Sequence, residues 1–218
     1  MQTLHQALLL KKLYLLQSFG FDYCNPQFLV PAQKRFQSQN QGDLRQLIES
    51  CKLCAQKTSL PSAGLCHQNS KLIFLTLMPL LDSQSRFVSK SAQMLKNIIE
   101  RVFDLSLREV SILSLLKCEI PQNSQQICIE SCMGYFLKQI EFAQSPILVL
   151  LGAEAYFYLT QDGSDYGNVQ GKLLKWNHLK LFPTFSLSQL LRQPELKINA
   201  HKEFLHLKEL LKEEKQCN

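Results

Sequence analysis

The residues of this chain best suited to chemistry are its thiols. Cys51 and Cys54 form a C-x-x-C pair, a spacing that lets two thiolates meet one metal ion or one cluster. Far downstream, "KCEIPQNSQQICIESC" supplies Cys118 and then Cys128 and Cys132, four residues apart and so on one face of any helix they share. Cys118 ends an apolar run that reads as a buried strand, at the end of the strand where function is expected. Four thiolates from separated segments suit an iron–sulfur cluster or an all-thiolate zinc site, with Cys128 or Cys132 as the fourth ligand. Free cysteine also packs as a small hydrophobe, and spacing alone leaves metal and packing evenly balanced.

Four short apolar runs must position these thiols: "KLIFLTL" (71–77), "VSILSLL" (110–116), "PILVLLG" (146–152) and "HLKLFP" (178–183). Helix-like segments follow the first three: "KSAQMLKNIIERVFDL", "ICIESCMGYFLKQIEFAQ" and "AEAYFYLTQ". The fourth leads to "SLSQLLRQ" and a C-terminal "HKEFLHLKELLKEEK". Strands alternating with helices predict a parallel sheet covered on both faces, and the near-continuous apolar runs fit strands buried on both sides. Sites in such sheets lie beyond the carboxyl ends of the strands. The loops to watch are therefore "LMPLLDSQSRF", "KCEIPQNSQQ", "GAEA" and "PTFSLSQ". Upstream, Leu4, Leu8, Tyr14 and Leu15 predict an amphipathic helix, and Gly20, Pro26 and Pro31 break regularity after it. "QSQNQGD" (37–43) reads as a linker. Residues 1–40 are expected to be a helical appendage and residues 41–218 the main domain. Asp43 is expected to cap a helix "LRQLIESCKLC" carrying the first cysteine pair.

Composition bounds the rest. A chain of 218 residues with 45% hydrophobic content can bury a core without disulfide staples, so its eight cysteines are not the framework of a small secreted fold. Lys11 and Lys12 interrupt the apolar N-terminal stretch, which has no small-residue cleavage site. No uncharged run reaches the ~18 apolar residues of a membrane span. A cytoplasmic protein with reduced thiols is expected. A net charge of +6 is compatible with a polyanion partner, although the Lys and Arg residues are scattered.

Six pieces in order carry a resemblance: "CKLC" (51–54), "FVSKSAQML" (87–95), "KCEIPQN" (117–123), "CMGYFLKQI" (132–140), "LGAEAYFYL" (151–159) and "LLRQPELK" (190–197). Together they resemble the iron–sulfur uracil-DNA glycosylases of the family-four type, over roughly residues 44–212. The resemblance implies a three-layer α/β/α sandwich with a central four-stranded parallel sheet. It implies a structural [4Fe–4S] cluster on Cys51, Cys54, Cys118 and Cys132, with Cys132 preferred because a Tyr follows three residues later. It also implies DNA as partner, touched by Ser188, Gln189 and Arg192, with Lys90 and Lys117 as secondary contacts. A monomer is expected.

A glycosylase that removes uracil flips the nucleotide out, reads its edge and stabilises the leaving anion. In the family an acidic or polar residue in a G-E-A-P-G-like loop attends the attacking water; here "TLMPL" (76–80) keeps Pro79 but puts Leu77 at that position and Leu80 for a Gly. An Asn four residues before the cluster cysteine reads the uracil edge; here Ser114 stands there. A His in "PTYHP" donates to the uracil oxygen; here residues 183–187 read Pro-Thr-Phe-Ser-Leu, with Ser186 at the His position. Loss of such a preorganised donor costs ~10²–10³ in rate. None of the five histidines, His5, His67, His178, His201 and His206, lies in that motif. Phe87 matches the residue that stacks on the flipped base and fits core packing equally well. Asp82 is the one carboxylate in the first loop able to substitute as base, against the plainer reading of a solvated loop residue. The expectation is a DNA-binding iron–sulfur protein without uracil excision; the alternatives are a glycosylase for another base, using Asp82 or Ser186, and a structural zinc protein.

Overall fold

The computed structural model describes residues 41–163, 165–177 and 179–216. The appendage expected over 1–40, His5 and His178 lie outside the described residues.

Four apolar runs form the predicted parallel strands: β1 (Leu72–Thr76), β2 (Val110–Ser114), β3 (Ile147–Leu151) and β5 (Leu179–Thr184). The sheet has a fifth member, β4 (Leu174–Trp176), so the four-stranded expectation is corrected to a five-stranded sheet of order β2-β1-β3-β5-β4. β4 pairs antiparallel with β5, Trp176 opposite Leu179. It has three residues and none is fully buried, so it carries no apolar run to give it away. Its one local mark is Asn177, directly after it, at a positive φ of 52°, a backbone state that Asn tolerates better than most residues. β4 reaches only as far as Leu181 along β5, so Pro183, which has no N–H to donate, sits where no strand flanks β5 on that side.

Alternation along each strand divides the core. Ile73 and Leu75 of β1, Leu113 of β2 and Leu148 and Leu150 of β3 pack with α3 (Gln125–Ala143) and α4 (Ala153–Thr160). Leu72, Phe74, Val110, Ile112 and Val149 face the other way. They pack with α2 (Lys90–Arg101), α6 (Leu187–Arg192) and α7 (Leu196–Gln216). This is the expected three-layer arrangement, with strands buried on both faces as their continuous apolar character requires. A short α5 (Tyr166–Val169) precedes β4.

Helix starts follow local chemistry. Ser89 accepts the Ala92 N–H at 3.0 Å and caps α2. The first helix among the described residues, α1 (Gln41–Glu49), begins two residues before Asp43, which lies in its first turn rather than capping it. It also ends before the thiols: Cys51 and Cys54 stand in the loop beyond α1, correcting the expectation that the helix carries them. That loop has no regular structure of its own and is held by its neighbours, as described next.

Candidate functional site

Two regions at the carboxyl end of the sheet concern function: a gathering of cysteines beyond β2, and a cavity beyond β1, β3 and β5.

The loop 51–62 lies alongside the segment that leaves β2. Ser62 N–H donates to the Lys117 carbonyl (2.7 Å) and Thr58 N–H to the Glu119 carbonyl (3.0 Å). Ser59 Oγ accepts the Glu119 N–H (2.9 Å). These bonds carry Cys51 and Cys54 to Cys118. From the other side, α3 presents Cys128 and Cys132 one turn apart, both buried. The sulfurs act on one another: Cys54 hydrogen-bonds Cys128 and senses Cys132 and Cys51, and Cys118 senses Cys132, Cys51 and Cys128. The structure therefore brings together all four predicted ligands and also the alternative, Cys128. Tyr135, three residues after Cys132, hydrogen-bonds Cys51. Burial is the first cause that raises the thiols, to about 12 for Cys54 and about 11 for Cys118; it raises Cys132 too. Sulfurs held neutral in this way must shed protons to take a metal. Among the described residues, no three His, Cys, Asp or Glu side chains converge closely enough to hold a single ion.

Lys117 corrects an expectation. It is 1% exposed, which removes it from any DNA-facing set. Its Nζ donates to the Ser114 carbonyl and, at 2.6 Å, to Gln139 Oε1. Burial lowers it to about 8, with Cys132 and Cys66 acting in the opposite direction. A lysine beside a loop ordinarily reaches solvent; the one signal against that was its place directly after an apolar run, where the chain is still inside.

The cavity, about 480 Å³, is lined by Thr76 to Leu80 after β1, by Leu151 to Ala155 after β3, and by Ser186 to Gln189 with Arg192 after β5. Its closest internal approach is Gly152 (φ 110°), where a Cβ would lie 2.8 Å from the Cβ of Ser186. Only glycine allows these two loops to meet. Gly152 N–H donates to the Thr184 carbonyl (3.0 Å), and Thr184 Oγ1 donates to Glu203 Oε2 (2.7 Å) from α7, so the β5 exit is braced from behind.

The predicted residues separate here. Leu77 lines the cavity and is itself buried against the α3-side core. Ser186 lines it too, but its hydroxyl accepts the Gln189 N–H (3.2 Å) as the cap of α6. Ser188, Gln189 and Arg192 line it together. Ser114 is buried and is not among the lining residues. Phe87 is half-buried and packs against the α2-side core, also away from the lining. Lys90 lines a separate apolar groove between α2, α6 and α7, together with His201. Asp82 is committed to its own loop: Oδ1 accepts the N–H groups of Arg86 (2.8 Å) and Gln84 (3.0 Å), and Oδ2 pairs with Arg86 Nε at 2.7 Å. These contacts, the Arg86 N–H first, hold its carboxyl below the usual range, and it does not line the cavity. Sequence reasoning missed Ser91 and Glu154, both of which line it. Glu154 carried a signal, an acid in the first turn after a strand-ending Gly.

A three-layer α/β/α domain with a mostly parallel sheet, a thiol gathering beside β2 and a cavity at the strand ends defines the class. The sequence profile of the uracil DNA glycosylase superfamily matches residues 63–212, more than half of the chain, and the chain belongs to that superfamily. It is similar to the Type-4 uracil-DNA glycosylase of Saccharolobus solfataricus, 27% identical over 177 residues, which cover 75% of this chain and 81% of the relative. It is also similar to the Type-4 uracil-DNA glycosylase of Sulfurisphaera tokodaii, 24% identical over 184 residues, covering 77% and 83%.

Proposed function

We propose that this chain is a DNA-binding iron–sulfur protein of the superfamily that does not excise uracil. The observation that carries the reading is the cavity wall. Leu77, Leu80 and Leu187 line it, and the hydroxyl oxygen of Ser186 accepts the Gln189 N–H at the start of α6 and lies 3.2 Å from Ser188 Oγ. A uracil edge buried against such a wall loses its water partners without replacement. The charge that develops on a leaving uracil meets no imidazole at position 186 but a short hydroxyl anchored at the start of α6, and loss of one preorganised donor is worth about 2.7–4 kcal/mol. With Ser114 outside the wall and Asp82 held by Arg86, no predicted substitute takes over.

Cys51, Cys54, Cys118 and Cys132 would hold a [4Fe–4S] cluster. The donor set is all sulfur, from three separated segments whose sulfurs act on one another, which suits such a cluster. An all-thiolate zinc ion would draw on the same four residues. Bound there, the cluster supplies cross-linking of the 51–62 loop, the β2 exit and α3, and no redox step. Ser188, Gln189 and Arg192 at the cavity rim would meet DNA phosphates. Among the described residues no helix is long and apolar enough to cross a membrane. A cytoplasmic monomer, with residues 1–40 as an appendage to the domain, completes the reading.

The test is incubation of the iron-loaded chain with labelled uracil-, hypoxanthine- and plain oligonucleotides. The expected result is binding to all three that weakens steeply with salt, and no base release. Uracil release at the rate of ordinary repair enzymes overturns the reading. Glu154, an exposed carboxylate on the cavity lining, favours a second reading as a glycosylase of another base. In that case hypoxanthine or another base is released and Glu154→Gln stops it.

A further inference from the structure

Helix α2 is apolar over more of its circumference than the core takes up. Ala92, Leu95 and Ile99 are buried. Met94, Ile98 and Val102, at i, i+4 and i+8, form a second row, half-buried at the margin of the core. Opposite stand Leu190 and Leu191 of α6 and Ala200 and Phe204 of α7, and the two sides line a groove of about 550 Å³ that is open to solvent. Val88, 71% exposed, adds to its apolar lining. The groove is preformed. Phe204 meets Phe103 edge to face, with ring centroids 5.8 Å apart, and just beyond them Lys208 of α7 pairs with Asp104.

The rim carries one sign of charge. Lys90, Lys197 and His201 line the groove, the last two one turn apart on α7, and among the described residues no Asp or Glu lines it. None of the ion pairs among the described residues includes Lys90 or Lys197. Lys90 opens α2, whose first turn holds no acidic residue, so side chain and helix pole add there.

An apolar floor under a cationic rim selects its occupant. A phosphodiester backbone would satisfy the rim and leave the floor bare. A second copy would bring its own net charge of +6. A small ligand needs most of its surface enclosed, which an open groove does not give. A protein segment, apolar along one face and acidic at one end, meets floor and rim together and brings its own cover. The row from Met94 to Val102 rises about 12 Å, the reach of anchors at i, i+3, i+4 and i+7 on a helix laid along it.

We propose that this groove docks an acidic amphipathic helix of a partner protein, its apolar face on Met94, Ile98 and Phe204 and its carboxylates on Lys90 and Lys197. The site goes beyond the function proposed above and does not depend on it. Helix α6 is the shared wall: Ser188, Gln189 and Arg192 line the cavity, while Leu190 and Leu191 line the groove.

The test uses the full chain and a labelled synthetic peptide of roughly 15 residues, helix-forming, with Leu at i, i+3, i+4 and i+7 and a run of Glu at its N-terminal end. A second peptide has Lys for each Glu. Fluorescence anisotropy is expected to show the Glu peptide bound about tenfold more tightly than the Lys peptide. Lys90→Glu with Lys197→Glu, both exposed, should leave the thermal midpoint unchanged and reverse that preference. Ile98→Ala should weaken both peptides alike. Absence of binding, equal affinity for the two peptides, or a preference that survives the charge reversal overturns the proposal. Two other occupants would also overturn it. Displacement of the peptide by dodecanoate from the wild type would give the groove to a small amphiphile. A wild-type dimer in sedimentation that the charge reversal dissociates would give it to a second copy. Base release or failure to take up iron would overturn the function proposed above and leave these outcomes untouched.

Discussion

The two candidate regions, both at the carboxyl end of one sheet, are built in opposite ways. Around the cysteines the polar support is complete: Gln139 is bonded at both ends of its amide, Tyr135 reaches Cys51, and backbone hydrogen bonds join loop 51–62 to residues 117–119. Around the cavity, leucines stand at the wall, a serine has become a helix cap, and the nearby carboxylate of Asp82 is closed into its own turn. A brace is constrained by what it holds together, so its buried polar atoms cannot be lost singly without leaving a partner unsatisfied. A wall of leucines has no such reciprocal bonds to keep. The difference teaches that one sheet end can carry a mutually bonded polar region beside a largely apolar cavity wall.

The comparison can be broken or sharpened by substitution. The largest effect is expected behind the brace: Phe136 is fully buried on α3, and Phe136→Ala should cost about 3–5 kcal/mol in urea unfolding. Leu80→Ala in the half-buried cavity wall should cost clearly less, and equal losses would undo the contrast. Next, Gly152→Ala forces a side chain into a positive-φ state and against Ser186, and should cost about 1–3 kcal/mol. Its effect should fall on the cavity alone, leaving iron content unchanged. Smaller still, Arg192→Ala should weaken binding to all DNA sequences alike and reduce the salt slope by about 1, as loss of one phosphate contact does. A sequence-selective loss would mean base contact instead. The smallest concerns pH and neither region. Glu109 is lowered to about 2 from an ordinary 4.5, first by its bond to Lys71. A depressed carboxylate contributes stability above pH 4.5 that is lost as pH falls toward about 2. Lys71→Met should lower stability slightly at neutral pH, flatten that acid limb, and change nothing below about pH 2.

Much of this fold was legible because burial on both sheet faces writes itself as unbroken apolar runs: β1, β2 and β3 fall inside the predicted stretches, and β5 runs one residue past its own, to Thr184. β4 was not, since a three-residue strand on the margin with Lys175 exposed at its centre has no run to show. The convergence of Cys51, Cys54, Cys118 and Cys132 was foreseen by type and order, yet the nearness of Cys128 left the choice of fourth sulfur to the surroundings. What sequence could not reveal was the direction of a side chain. Lys117 and Ser114 were read as if they faced outward or into the cavity; the structure turns the lysine inward onto the serine's carbonyl. Phe87 was balanced between stacking and packing, and its position against the α2-side core is a matter of tertiary placement that no local pattern encodes.

One modest detail has a wider effect. On the outer side of β2, Leu65 exchanges both main-chain hydrogen bonds with Ile112 (2.9 and 2.7 Å), and at the opposite margin the sheet ends in the stub of β4. Neither flank offers a long row of unused amides on which a foreign strand could template itself. Among the described residues, recognition by strand addition is thereby disfavoured, which leaves the loops and helices, the short α6 among them, to meet a partner.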